Sequence, residues 1–185
     1  MREDSFSHVV DVADELFFEH GVRAVTMERV REVSGVPLRQ LYRMFRSKDE
    51  LLTACLKQRD RTARGALHAY AGRYADPGDN VLAIFDFLDD WFRQPGFHGC
   101  VFAGAFGEVG GAAPEVVEVV QHHKQQLLEL FTDLAKQTDV VDPDEVGKQL
   151  AVLFDGAMAI ATFTGNTEAA RHARQAAQAV LAAAR

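Results

Sequence analysis

The sequence predicts an all-α fold of about nine or ten helices, on three observations. Apolar residues recur at three- and four-residue spacing through most of the 185 residues. The five prolines fall outside those periodic runs. Strand signals are weak, with two isoleucines in the whole chain and no alternating run closed by a two-residue hairpin turn.

Taken in order, Val9, Val12, Ala13, Leu16 and Phe17 mark one face of a first long helix, and Gly21 ends it as a left-handed cap. Residues 26–33 form a short helix, Ser34-Gly35-Val36 a tight break, and residues 37–45 a second short helix. Ser47-Lys48-Asp49-Glu50 reads as a capping box, opening a helix that runs from Lys48 to about Tyr74. Asp76-Pro77-Gly78 and Gln94-Pro95-Gly96 are turn signals. Between them Val81, Ile84, Phe85, Leu88, Trp91 and Phe92 share a helix face. The same spacing links Val116, Val120, His123, Leu127, Leu130, Phe131 and Leu134, and again Leu150, Leu153, Phe154, Ala157, Met158 and Ala161. Pro37, Pro114 and Pro143 each precede a helical run, where proline suits a first turn. Asp142-Pro143-Asp144-Glu145 adds an aspartate cap, and alanine-rich 168–184 is a strong helix former.

Composition excludes several function classes. Hydrophobic residues at 48% and charged residues at 25% supply a core and rule out a disordered chain. No apolar run approaches the roughly 18 residues of a bilayer span, so no membrane partner is expected. MREDSFSHVV lacks the apolar stretch of a signal peptide. Cys55 and Cys100 are too few for a disulfide framework and read as small buried hydrophobes, which suits a reducing, cytoplasmic setting. His122 and His123 point about 100° apart on a helix, and neither His-Glu-x-x-His nor Cys-x-x-Cys occurs. No Gly-x-Ser-x-Gly elbow is present. Neither a metal, nor a cofactor, nor catalysis is expected. Segment 96–113 holds six glycines but lacks the Gly-Lys-Ser/Thr of a phosphate loop. It reads instead as a flexible or kinked linker helix.

Three short helices with a glycine-containing turn before the last describe a helix-turn-helix over residues 1–47, leaving 48–185 as a larger helical domain. A recognition helix needs apolar residues to seat it and polar or cationic residues to meet DNA. Leu41 and Phe45, with Val36 before them, supply the first set. Arg39, Gln40, Tyr42, Arg43 and Arg46 supply the second, behind Pro37 at the helix start. Arginine pairs bidentately with guanine and glutamine with adenine. The N-terminal half of such a helix reaches base edges, so Arg39 and Gln40 lead, followed by Arg43. Leu38 is placed either against a thymine methyl or in packing. Thr26, capping the first motif helix, Lys48, at a helix start, and the Tyr42 hydroxyl are phosphate candidates.

These residues resemble the TetR family of bacterial transcriptional regulators, the AcrR-like repressors. The resemblance spans residues 7–56: Phe17-Phe18-Glu19-His20-Gly21, Thr26, Ser34-Gly35-Val36, Leu41-Tyr42-Arg43-Met44-Phe45 and Ser47-Lys48-Asp49-Glu50-Leu51-Leu52. It implies DNA contacts by Leu38, Arg39, Gln40, Tyr42 and Arg43, with Thr26 and Lys48 toward phosphate. Pro37-Leu38-Arg39-Gln40 stands where many members carry Ser-Lys-Gly-Thr, so base preference does not transfer. Arg31 replaces a commonly small residue, and Glu3 and Asp4 argue against a basic minor-groove arm.

The resemblance further implies a ligand-responsive repressor that binds a palindromic, double-stranded DNA operator as a homodimer and is released by a small hydrophobic effector of unknown identity. The helices at 114–136 and 143–165 would form the dimer, with Gly156, Ala157, Ala159 and Ala161 permitting close approach. Pocket candidates are Tyr70, Phe85, Trp91, Phe102, Phe106, His123 and Met158, with His98 and Asp155 as further polar groups. The alternative is a regulator of the same fold without a small-molecule effector, controlled by a protein partner.

The net charge of -7 counts against nucleic-acid binding until it is divided along the chain. Residues 1–61 carry 11 basic and 11 acidic groups, so residues 62–185 hold the whole excess. Within 21–48, seven basic residues face Glu28 and Glu32, a local charge of +5.

Overall fold

The computed structural model describes the backbone of residues 2–185 and the side chains from Ser5 onward. The expectation drawn from Glu3 and Asp4 lies outside those side chains. Among the described residues the chain forms nine helices and no strand. They are α1 (Arg2–His20), α2 (Met27–Ser34), α3 (Leu38–Met44), α4 (Lys48–Ala71), α5 (Pro77–Phe92), α6 (Val101–Val109), α7 (Pro114–Ala135), α8 (Pro143–Thr164) and α9 (Ala169–Ala183).

Their ends follow local chemistry. Gly21 lies at φ +82° and its N–H donates to Phe17 O at 3.0 Å, closing α1 in the left-handed conformation that costs glycine little. Asp142 accepts from Glu145 N at 3.1 Å, ahead of proline in the first turn of α8. Asp76-Pro77-Gly78, read from sequence as a turn, is a helix start of the same design, with Asp76 accepting from Asp79 N at 3.0 Å. The capping box at 47–50 is half conventional. Ser47 Oγ accepts from Glu50 N at 3.0 Å, but the Glu50 carboxylate accepts from Arg46 N at 2.6 Å, one residue earlier than in the usual pattern. α4 stops at Ala71, three residues short of the expected Tyr74.

Two compact units share these helices. The first is the segment ending at Arg61 together with Val101–His122, so it holds α1–α3, the first half of α4, α6 and the start of α7. Val9, Val10, Ala13, Phe17, Val25, Val30, Leu41, Phe45, Leu51, Leu52, Cys55 and Leu56 are buried there. α4 is pinned to α1 by Arg59 Nε to Asp14 Oδ1 at 2.6 Å, by Gln58 Nε2 to Asp11 Oδ1 at 2.6 Å, and by Arg59 lying over the Phe18 ring.

The second unit is Thr62–Cys100 with His123–Arg185. α9 packs on α5 and α8 around a core containing Phe85, Phe131 and Phe154, whose ring centroids lie 5.7–6.4 Å apart. α8 is long and apolar enough to pass as a membrane span, with a mean hydropathy of 1.3 over its best window. Leu150, Phe154, Ala157, Met158 and Ala161 on it are buried in this core. Asp155, noted from sequence, is paired with Lys124 on α7 at 2.6 Å.

Candidate nucleic-acid interface

The helix-turn-helix is set by short-range bonds. Thr26 Oγ1 accepts from Arg29 N at 3.2 Å and starts α2. Gly35, at φ +69°, closes it with its N–H on Arg31 O at 3.0 Å. Ser34 Oγ accepts from Val36 N at 3.2 Å, and His8 Nε2 meets Ser34 O at 3.0 Å, tying the turn to α1. Pro37 is the residue before α3 rather than its first, and its carbonyl accepts from Gln40 N and Leu41 N. Leu41 and Phe45 are fully buried, and Phe6 packs on the Phe45 ring at 4.9 Å.

That seating decides what α3 shows outward. Arg39, Tyr42 and Arg43 are exposed, and Arg46 follows just past the helix end. Among the described residues no carboxylate lies within ion-pairing distance of Arg39, Arg43 or Arg46. Arg29 and Arg31, by contrast, both lean on Glu32. Leu38 and Gln40 are half-buried, and the Gln40 amide donates to Ser5 Oγ at 3.4 Å, a long bond that opens at small cost.

Lys48 is placed differently from the other candidates. Its ammonium donates to Val22 O at 2.9 Å and to Val25 O at 3.0 Å, bracing the turn between α1 and α2. A third proton remains for an outside acceptor. The sequence gives no sign of this brace, because the carbonyls lie 26 and 23 residues away.

Of the seven pocket candidates, Phe85, Met158, Tyr70 and Trp91 belong to or pack against one hydrophobic cluster of the second unit. Phe85 and Met158 are core side chains of the second unit. Tyr70 donates its hydroxyl to Asp90 at 2.6 Å, a bond that holds its phenol above the ordinary value, and it packs on Phe87. Trp91 stacks among Phe87, Phe92 and Phe97. Phe102 is buried and Phe106 exposed on α6, in the first unit. His123 alone of the seven lines a groove of the second unit. This groove of about 400 Å³ runs between the later halves of α4 and α7. Its floor is Leu67, Leu127, Leu130 and Leu134; Arg64, Gln126 and Glu129 are among its polar groups. A depression of about 560 Å³ in the first unit has Val119 among otherwise polar or charged walls, including Arg46, Lys57, Glu115 and Glu118. Cys55 is buried, and that burial raises its thiol far above the ordinary range, whereas Cys100 is half-buried rather than fully buried as expected.

Similarity to known proteins matches this geometry. A family model described as bacterial regulatory proteins of the tetR family matches residues 9–55, and one described as a tetracyclin repressor-like C-terminal domain matches residues 77–177. No curated protein matches the chain at a significant level. Among solved structures, SCO4454, a TetR-family transcriptional regulator from Streptomyces coelicolor, is 30% identical with a TM-score of 0.88, the match covering 98% of this chain and 96% of that one. The protein sav143 of Streptomyces avermitilis is 29% identical with a TM-score of 0.81, covering 97% of each chain. Escherichia coli NemR in its reduced form shares the fold at 18% identity and a TM-score of 0.84, over 94% of this chain and 95% of its own. A basic, outward-facing α3 seated by Leu41 and Phe45, carried on a chain whose two halves both match, makes this protein a member of the TetR family: a DNA-binding transcriptional regulator and not an enzyme.

Proposed function

We propose that this regulator is a cytoplasmic homodimeric repressor that reads a palindromic operator and is released by a small, largely apolar effector. The observation that carries the reading is the exposed cationic face of α3, Arg39 and Arg43 with Tyr42 between them, which has no ion pair among the described residues. Arg39 reads base edges with Arg43, Gln40 joins them once its bond to Ser5 opens, and Leu38 abuts the same groove. Pro37 sets the entry of α3, while Thr26, Tyr42 and the remaining proton of Lys48 serve phosphates.

A second copy is supported by α8, where Val152, Gly156, Ile160 and Phe163 form an exposed, mostly apolar stripe at helical spacing. Val152 is 72% and Phe163 84% exposed, values that suit a surface covered by a symmetric partner. The groove with the leucine floor is the better effector candidate of the two depressions. Apolar lining with a few polar groups is the usual character of small-molecule sites, and His123 and Arg64 supply such groups here.

Selection of bound DNA from a random pool tests the reading. A palindrome with half-sites about one helical turn apart, roughly 34–36 Å, is expected. An asymmetric single site overturns the dimeric part. Screening small molecules for operator release then tests the effector part, with His123→Ala weakening any hit that occupies the groove.

A further inference from the structure

The depression of the first unit is walled by one face of α4 and one face of α7. Glu50, Thr53, Lys57 and Asp60 follow one another at three- and four-residue spacing along α4, and Glu115, Glu118 and His122 do the same along α7. From Glu50 to Asp60 the α4 wall runs about 15 Å, at the helical rise of roughly 1.5 Å per residue. The depression is therefore a trough, and its volume of about 560 Å³ lies within the roughly 300–1,000 Å³ of small-molecule sites.

Four carboxylates, from Glu50, Asp60, Glu115 and Glu118, line it against two cations, Arg46 and Lys57. Glu50 already accepts from Arg46 N, and Asp60 is engaged. Glu115 sits in the first turn of α7, where the helix end favours an acid. Glu118 lies beyond that turn. Like Lys57, it has neither a hydrogen bond nor an ion pair among the described residues. Opposite charges thus face one trough without neutralising each other.

A second observation is independent of charge. Thr53 is only 9% exposed, and its hydroxyl has no hydrogen-bond partner. A helical threonine ordinarily turns its hydroxyl back to a carbonyl three or four residues earlier. Thr162 and Thr164 do so on α8, each at 2.7 Å. Thr53 leaves that bond unmade on a wall of the trough. Buried polar groups are seldom left open, and an occupant of the trough would satisfy this one.

We propose that the trough binds an elongated organic amine, at a site that shares no residue with the leucine-floored groove. Ammonium groups meet Glu118 and Glu115, an N–H donates to the Thr53 hydroxyl, and the aliphatic chain lies along Val119. The excess of carboxylates selects a cation over an anion. The length of the trough selects a chain of amines over a compact ion, and among the described residues no group of His, Cys, Asp and Glu could hold a metal.

The test is titration calorimetry on full-length protein at physiological salt, with 1,4-diaminobutane, spermidine and succinate as probes. One saturable amine site per chain is expected, with a Kd below about 1 mM, and weaker binding of succinate. Glu118→Gln should weaken the amine about threefold to fivefold. Thr53→Val, which keeps the side chain's shape, should weaken it about fivefold without lowering the urea midpoint. Glu19→Gln removes the same charge from an exposed position at the end of α1 and should stay within about twofold of wild type. No saturable binding of either amine overturns the proposal. So does succinate binding as tightly, or Glu19→Gln losing as much as Glu118→Gln, which would reduce the effect to general acidity. A folded Thr53→Val with wild-type amine affinity overturns it too. If Thr53→Val does not fold, the comparison of Glu118→Gln with Glu19→Gln decides.

Discussion

Lys48→Met removes the brace under the α1–α2 turn while keeping the helix-forming stem. Two hydrogen bonds from a charged group, at 2.9 and 3.0 Å, are lost. Bonds of that kind contribute about 1.5–3 kcal/mol each when well shielded. Lys48 itself is only half-buried, which weakens both bonds, although Val22 and Val25 are buried. The lower end applies to each bond, so the pair is worth about 3 kcal/mol, a large share of a domain stability of roughly 5–15 kcal/mol. Urea unfolding followed by helix signal should show the midpoint falling with an unchanged slope. Operator affinity should fall alike for all sequences, and the salt slope should flatten by about 0.9 if the third proton serves a phosphate. An unfolding midpoint equal to wild type would refute the brace. A lowered midpoint with an unchanged salt slope would confine Lys48 to the brace and remove it from the phosphate set.

Other outcomes follow from single observations. Arg39→Ala should relax base preference at one or two operator positions, at about 1–3 kcal/mol each, in a binding-site selection repeated with the variant; Gln40→Ala should cost less because of its bond to Ser5. Gly35→Ala has open space for its Cβ and a φ of +69°, so it should lose only the left-handed penalty of about 1–2 kcal/mol in thermal or urea unfolding. Gly147→Ala places a Cβ 2.9 Å from Thr132 Cα and should cost more, about 1–3 kcal/mol of overpacking plus displacement of α7 from α8. Ile160→Glu with Phe163→Glu should yield a folded monomer in analytical ultracentrifugation. Iodoacetamide should label Cys100 and spare Cys55 until unfolding, since the thiolate is the nucleophile and burial keeps Cys55 protonated.

What could be read from the sequence was what depends on neighbours in the chain. The caps at Thr26, Ser47 and Asp142, the left-handed ends at Gly21 and Gly35, and the apolar faces of α5, α7 and α8 all rest on contacts within a few residues. The basic face of α3 was equally local, because seating Leu41 and Phe45 leaves Arg39, Tyr42 and Arg43 outward. What the aromatic candidates touch was not readable, for the opposite reason. An aromatic at helical spacing carries no mark of whether it meets a core or a groove, and Phe85 and Met158 met a core. The groove between α4 and α7 is likewise framed by Arg64 and Gln126, in hydrogen-bond contact at 3.2 Å across 62 residues. No spacing rule in the sequence links them.

The same distinction governs charge. The count of +5 over residues 21–48 treats every cation as equal, but the fold spends them unequally. Arg29 and Arg31 lie on Glu32, Arg23 binds Glu108 O, and Lys48 gives two of its three protons to carbonyls. Arg39, Arg43 and Arg46 remain without an ion pair among the described residues. Phosphate affinity and its salt dependence track the cations that release counterions, not those already neutralised within the protein. A slope near that of three or four contacts per head, roughly 3 in log-log form, therefore follows from the structure, whereas the sequence count of seven would give about 6. Measuring the slope on a single half-site separates these values. A result near 6 would mean that the pairs at Glu32 open and that Arg23 leaves the Glu108 carbonyl on binding, so that the head is rebuilt by DNA rather than presented to it.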